Sequence, residues 1–124
     1  MIPGSSSDHP TFRKSFGFAV QGLRTAIATE RNIKVMLGGA VLAAVLGIVL
    51  RIDALSWAIV IACMGFVLSS ELVNTAIETI VDLVSPEFHP LAGRAKDISA
   101  AAELVLCIAA GIVGLIVFGH AILR

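Results

Sequence analysis

The stretch ALSWAIVIACMGFVLSSELVNTAIETIVD, Ala54–Asp82, decides the fold. Its first 17 residues, to Ser70, carry no charge, and with a few flanking residues they match the ~20 helical residues that cross a ~30 Å hydrocarbon core. The remainder is polar in a pattern. Glu71, Asn74, Glu78 and Asp82 fall at offsets 0, 3, 7 and 11, which at ~100° per residue confines them to one stripe ~80° wide. Leu72, Val73, Ile77, Ile80 and Val81 occupy the other faces, so lipid meets apolar side chains. Counted from Ala54, the hydrocarbon ends near Asn74, with Glu71 ~5 Å inside that edge and Glu78 ~6 Å outside. A stripe of acids crossing an interface suits a reaction shared by a lipid headgroup and a soluble anion.

Outward from this stretch, Val35–Leu50 (16 residues) and Leu104–Leu123 (20 residues) are also free of charge. Three transmembrane helices are predicted, at about 33–51, 54–83 and 95–123, in a single all-α membrane-embedded domain covering 1–124. Composition agrees. The AVILMFWYC set makes up 57% of the 124 residues, 11 more are Gly, and only 15% are charged, so a soluble domain is excluded on ordinary composition. Nine Lys+Arg balance nine Asp+Glu, leaving no overall basic field; no nucleic-acid partner is expected. Cys63 and Cys107 lie in apolar runs without metal-ligand or CxxC spacing and read as packing residues. Arg51-Ile52-Asp53 is a tight turn, whereas about thirty residues separate Ser70 from Leu104. Arg13, Lys14, Arg24, Arg31, Lys34, Arg94 and Lys96 share one side and only Arg51 and Arg124 the other, so the positive-inside rule places the N-terminus and the long connection in the cytoplasm.

Phe12, Phe16, Ala19, Leu23 and Ile27 recur at helical spacing, with Arg13, Lys14 and Arg24 off that stripe. They predict an amphipathic surface helix over 12–31, with Gly17 and Gly22 as weak points. The polar, Ser-rich start reads as a disordered tail over 1–11, without the pattern of a cleaved signal peptide. Gly39, Ala43 and Gly47, and likewise Ala110 and Gly114, are small-residue stripes suited to close helix contacts or to ordinary packing.

The connection Ser85-Pro-Glu87-Phe-His89-Pro-Leu-Ala-Gly-Arg94-Ala-Lys96-Asp97 brings turn formers and charges to the same face as the acidic stripe. A carboxylate at the depth of Glu71 can take a proton from a lipid hydroxyl, and Glu78, in the wetter zone, can hold a hard divalent cation. Lys96 can meet a phosphate as a point charge near a helix N-terminus. No Walker A or Rossmann glycine pattern is present, so a nucleotide must be held by another constellation. The plainer reading is that the acids snorkel or pair with Arg24, Lys34 or Lys96.

Taken together, Glu71-x-x-Asn74-x-Ala-Ile-Glu78-x-x-Val-Asp82 and Arg94-Ala-Lys96-Asp97-x-x-Ala-Ala-Ala resemble the signature of the prokaryotic diacylglycerol kinase family, which includes undecaprenol kinases. The resemblance extends over roughly 12–123 and takes in Gly22-Leu-Arg24 and Glu30. It implies a homotrimeric lipid kinase of the bacterial cytoplasmic membrane that uses ATP and Mg²⁺ and acts on a membrane lipid alcohol. On that resemblance Glu71 is the general base, Asn74, Asp82 and Lys96 belong to the catalytic site, and Glu30 and Glu78 bind the metal that accompanies ATP. Phe18, Glu30, Glu78, Glu87, Phe88, His89, Lys96 and Asp97 fall at nucleotide-binding positions, and Gly22, Arg24, Glu71 and Ala100 at lipid-binding ones. Phe18 stands where some relatives carry Tyr. Glu103 stands where relatives have an aliphatic residue, and a partner such as Arg24 or Lys96 is expected for it, since an unpaired buried carboxylate is costly. Glu87-Phe-His-Pro-Leu-Ala and Glu30-Arg-Asn-Ile-Lys34 look more like the undecaprenol branch; diacylglycerol is the alternative acceptor. A small proton-coupled transporter is the remote alternative, but it calls for an acid near the bilayer midplane.

Overall fold

A computed structural model describes residues 11–124 and contains four helices: α1 (Phe12–Thr29), α2 (Arg31–Leu50), α3 (Ala54–Val84) and α4 (Pro90–Leu123). Of the expected tail over 1–11, residues 1–10 lie outside the described residues, and Thr11 belongs to α1 as its N-cap. No strand occurs among the described residues, and α2, α3 and α4 are each long and apolar enough to cross a membrane.

α1 begins where the Thr11 hydroxyl accepts from Lys14 N–H at 3.3 Å, and it runs through Gly17 and Gly22 without interruption. It ends two residues before the expected boundary. Glu30 is extended, closing α1 through its N–H to the Ala26 carbonyl and preceding α2 without using its own carboxylate as a cap. This break lets the chain turn from α1 into the first span. Ala26 is buried while Phe12 and Phe16 are exposed, so α1 touches the bundle near its C-terminal end and presents an apolar face to its surroundings, as expected of a helix lying in the interface.

The α2–α3 turn is specified locally. Arg51 adopts the left-handed conformation (φ 52°, ψ 52°) as the C-cap of α2, and Ile52 N–H donates to Gly47 O at 3.2 Å. Asp53 then caps α3, its Oδ1 accepting from Ser56 N–H at 2.8 Å. From the far end of α4, the Arg124 guanidinium donates to the carbonyls of Leu50 and Arg51 at 2.6 Å each, placing a cation on the C-terminus of α2. Beside this corner, buried Ile52, Val60 and Val117 pack with Trp57, Leu50 and Phe118.

α3 and α4 form the most extensive helix pair. Their connection is short because α4 starts at Pro90, five residues before the predicted span. Pro90 at the first helical turn needs no donor, and His89 caps the helix by accepting Leu91 N–H on Nδ1 at 3.1 Å. At ~1.5 Å per residue α3 and α4 both exceed the hydrocarbon thickness, so their Asp82 and Lys96 ends project beyond it together.

The small-residue stripes meet two fates. A Cβ on Gly47 would lie 2.7 Å from Trp57 Cη2, so this glycine does permit a close approach. Gly39, Ala43, Ala110 and Gly114 instead line an open apolar groove of about 330 Å³ between α2, α3 and α4, together with Cys63 and Cys107.

Candidate active site

The polar stripe of α3 lies against α4, because these are the faces that the apolar residues of α3 leave over. Three side-chain contacts fix the register of the two helices. Ser70 Oγ donates to Glu103 Oε2 at 2.5 Å, Ser99 Oγ donates to Asn74 Oδ1 at 2.5 Å, and Lys96 pairs with Asp82. The contacts climb from the bilayer to the connection, with Glu71 and Glu78 set among them.

Glu71 is 2% exposed, and its Oε2 has no hydrogen-bond partner among the described residues. Asn32 from α2 presents its side chain to this carboxyl, and Glu103, Glu78 and Glu30 lie close enough for their charges to act on it. Among the described residues no cation forms a salt bridge with Glu71, which removes pairing with Arg24 or Lys34 as an account of it. Of the stripe, only Asp82 forms a salt bridge among the described residues, to Lys96, and that pair is partly solvent-accessible, so it contributes little to stability and is free to exchange for another anion. Asn74 is buried and reads both neighbours: its Oδ1 accepts from Ser99 while its Nδ2 donates to Glu78 Oε1 at 3.4 Å. This holds one oxygen of Glu78 and leaves the other available.

Glu103 departs from expectation. Its partners are Ser70 and, at 3.5 Å, the Cys107 thiol, rather than Arg24 or Lys96. Lys96 sits seven residues earlier on α4, ~10 Å up the axis, and is held by Asp82. Neutral donors thus do what a cation was expected to do.

The connection forms a second pocket of about 160 Å³ lined by Asp82, Ser85, Glu87, Phe88, His89 and Lys96, with Gly93 at its wall. Ser85 Oγ donates to Glu87 O at 2.8 Å and tightens the turn. Since His89 Nδ1 is occupied as a cap acceptor, Nε2 carries the ring proton and is the nitrogen left to meet a ligand. Phe88 is almost fully exposed over this pocket.

Glu71, Asn74, Glu78, Asp82, Lys96, Glu87, Phe88 and His89 are therefore gathered on one seam by a single chain. Phe18, Gly22 and Arg24 are exposed on α1, and Asp97 and Ala100 are exposed on α4; none of these lines the connection pocket. Ser70, Ser99 and Asn32 were missed by sequence reasoning. A serine in an apolar run gives no signal until the helix facing it is known.

Among the described residues no group of three or more His, Cys, Asp or Glu side chains could grip a metal alone. Two carboxylates with spare oxygens, Glu78 and the uncapped Glu30, nonetheless fit the habit of Mg²⁺, which takes one or two carboxylates together with substrate phosphates.

The chain is 37% identical over 117 residues to an undecaprenol kinase of Bacillus subtilis, covering 91% of this chain and 95% of the relative. It is 36% identical over 97 residues to a diacylglycerol kinase of Escherichia coli (78% and 80%), and 32% over 104 residues to one of Helicobacter pylori (84% and 81%). Residues 17–118 match the description of the prokaryotic diacylglycerol kinases, and the chain belongs to that family.

Proposed function

We propose that this lipid kinase transfers the γ-phosphate of ATP to the hydroxyl of undecaprenol at the cytoplasmic face of the membrane. One observation carries the reading: a nearly inaccessible carboxylate, Glu71, has an unused oxygen at the membrane edge, on the stripe that leads to the polar connection pocket. In this reading Glu71 takes the hydroxyl proton as the lipid oxygen attacks the γ-phosphorus, and the bond from that phosphorus to the ADP oxygen breaks in line. Asn74 holds Glu78, and Glu78 with Glu30 would hold Mg²⁺, which when bound offsets charge on the phosphate oxygens. Lys96 exchanges Asp82 for phosphate, while Glu87, Phe88, His89 Nε2 and Asp97 contact the nucleotide.

The apolar groove below Glu71 suits the lipid chain, with Gly22, Arg24 and Ala100 contacting the acceptor near the interface. Phe18, Arg24 and Asp97 stand apart from the pocket of their own chain, which supports a homotrimer in which a neighbour completes each site. The preference for undecaprenol is supported by the similarity, over nearly the whole chain, to a protein named for that lipid. The groove alone discriminates little between tails.

The test offers undecaprenol and diacylglycerol in parallel to purified protein in mixed micelles with labelled ATP. Preferred labelling of undecaprenol, abolished by Glu71→Gln at near-unchanged nucleotide affinity, is expected. Preferred labelling of diacylglycerol overturns the lipid assignment, and near-wild-type turnover in Glu71→Gln overturns the base.

A further inference from the structure

Two side-chain polar atoms are completely buried without a partner among the described residues, Glu71 Oε2 and Thr75 Oγ1. They lie four residues apart on α3 and so share one face, a single turn from each other. A buried hydroxyl left unpaired costs free energy, and such groups in folded proteins are normally satisfied.

Thr75 had an internal solution within reach. The other threonines within the described helices all donate back to the carbonyl four residues earlier: Thr25 to Gln21 at 2.9 Å, Thr29 to Thr25 at 2.8 Å and Thr79 to Thr75 at 2.8 Å. Thr75 does not, although it sits on the same helix as Thr79 and the carbonyl of Glu71 lies one turn before it. Its hydroxyl is turned to some other use.

The chemistry of the pair narrows what that use is. A carboxylate oxygen accepts a proton, and a threonine hydroxyl can donate one. A group that satisfies both must itself donate and accept through one atom, as an alcohol oxygen does. A free phosphate between these two atoms is disfavoured, because Glu103, Glu78 and Glu30 already act on the Glu71 carboxylate and Lys96 is held by Asp82 farther along the stripe, and an ammonium cannot accept. The apolar groove, which ends at Val67 and Leu68 one turn before Glu71, offers room for the chain such an alcohol would carry.

We infer that Thr75 binds the acceptor alcohol: its Oγ1–H donates to the lipid oxygen, while the lipid O–H donates to Glu71 Oε2. This rests on the proposed kinase reading and adds a residue to it. One lone pair of the lipid oxygen is engaged by Thr75, the proton leaves to Glu71, and the remaining electron pair forms the bond to the γ-phosphorus. The Thr75 hydroxyl then stabilises the negative charge that builds on the oxygen as its proton departs.

The experiment compares Thr75→Val, Thr75→Ser and Thr79→Val in the mixed-micelle transfer assay with whichever lipid the wild type phosphorylates. Val matches Thr in shape and removes only the hydroxyl. Thr75→Val is expected to lower kcat about 10- to 100-fold with the KM for MgATP unchanged. Thr75→Ser is expected to restore most of the rate, and Thr79→Val, which loses only a back-bonded hydroxyl, to behave as wild type. Near-wild-type turnover in Thr75→Val overturns the inference. So does an equal loss in Thr75→Val and Thr75→Ser, or a change confined to the KM for MgATP. Failure of the wild type to label any lipid alcohol overturns the kinase reading itself and the role of Thr75 with it, a result distinct from the other three.

Discussion

Replacing Gly47 by Ala tests the packing that sets the angle between α2 and α3. The added Cβ would lie 2.7 Å from Trp57 Cη2, 2.8 Å from Trp57 Cζ2 and 3.1 Å from Ile52 Cδ1. Carbon atoms settle at ~3.5–4.0 Å, so the indole must retreat by about 1 Å. The ring is rigid, and Ile52, which the new Cβ also meets, is buried in the cluster with Val60 and Val117 against which Trp57 packs, so the shift must pass into the helix pair. Overpacking of this kind costs about 1–3 kcal/mol. Gly38 and Gly65 have nothing within 4 Å of an added Cβ, and Ala at either position should change stability by less than about 1 kcal/mol. The difference between the Gly47 variant and these controls removes the helix-propensity contribution common to all three and isolates the clash. Unfolding would be followed by circular dichroism against SDS mole fraction in mixed micelles. We expect Gly47→Ala to unfold earlier by an amount equivalent to about 1–3 kcal/mol, with partial recovery when Trp57→Leu is added. Turnover per folded molecule should hold within about twofold, because Glu71 lies 14 residues along α3 from Trp57, ~21 Å away. A Gly47→Ala protein as stable as the Gly38→Ala and Gly65→Ala proteins would refute this account of the crossing.

Two further outcomes follow from the polar groups. Glu78→Ala should raise the Mg²⁺ concentration needed for half-maximal turnover at least tenfold, and an unchanged metal dependence in a magnesium titration would remove Glu78 from the metal site. Asp53 is held below the usual carboxylate range by the backbone N–H of Ser56, which its charged form accepts, with a smaller contribution from the Ser56 side chain. Because the folded-state value is depressed, the stabilising contribution of this cap is present above the ordinary value of 3.8 and is lost as pH falls through the lower folded value. Unfolding midpoints measured across that window should therefore fall for the wild type by more than for Asp53→Asn; parallel curves would count against the cap.

Much of the fold was legible in particular residues. Uncharged runs long enough to span a bilayer announce themselves because lipid tolerates no unpaired backbone groups, so α2, α3 and α4 follow from Val35–Leu50, Ala54–Ser70 and Leu104–Leu123. The single-faced placement of Glu71, Asn74, Glu78 and Asp82 was equally readable, since helical periodicity is a property of one segment. Boundaries were less so. Glu30 breaks the chain before α2, and His89 with Pro90 starts α4 early, through capping choices that composition does not encode.

The sequence by itself determined which residues could not face lipid and that they gather at one end of the spans, because burial energetics and period act along the chain. Only the tertiary structure decided their partners. Glu103 is satisfied by Ser70 and Cys107, Asn74 by Ser99, and Lys96 by Asp82, while Glu71 and Thr75 keep unpaired atoms. Those outcomes depend on the register and facing of α3 against α4, a relation between distant segments that neither segment specifies alone.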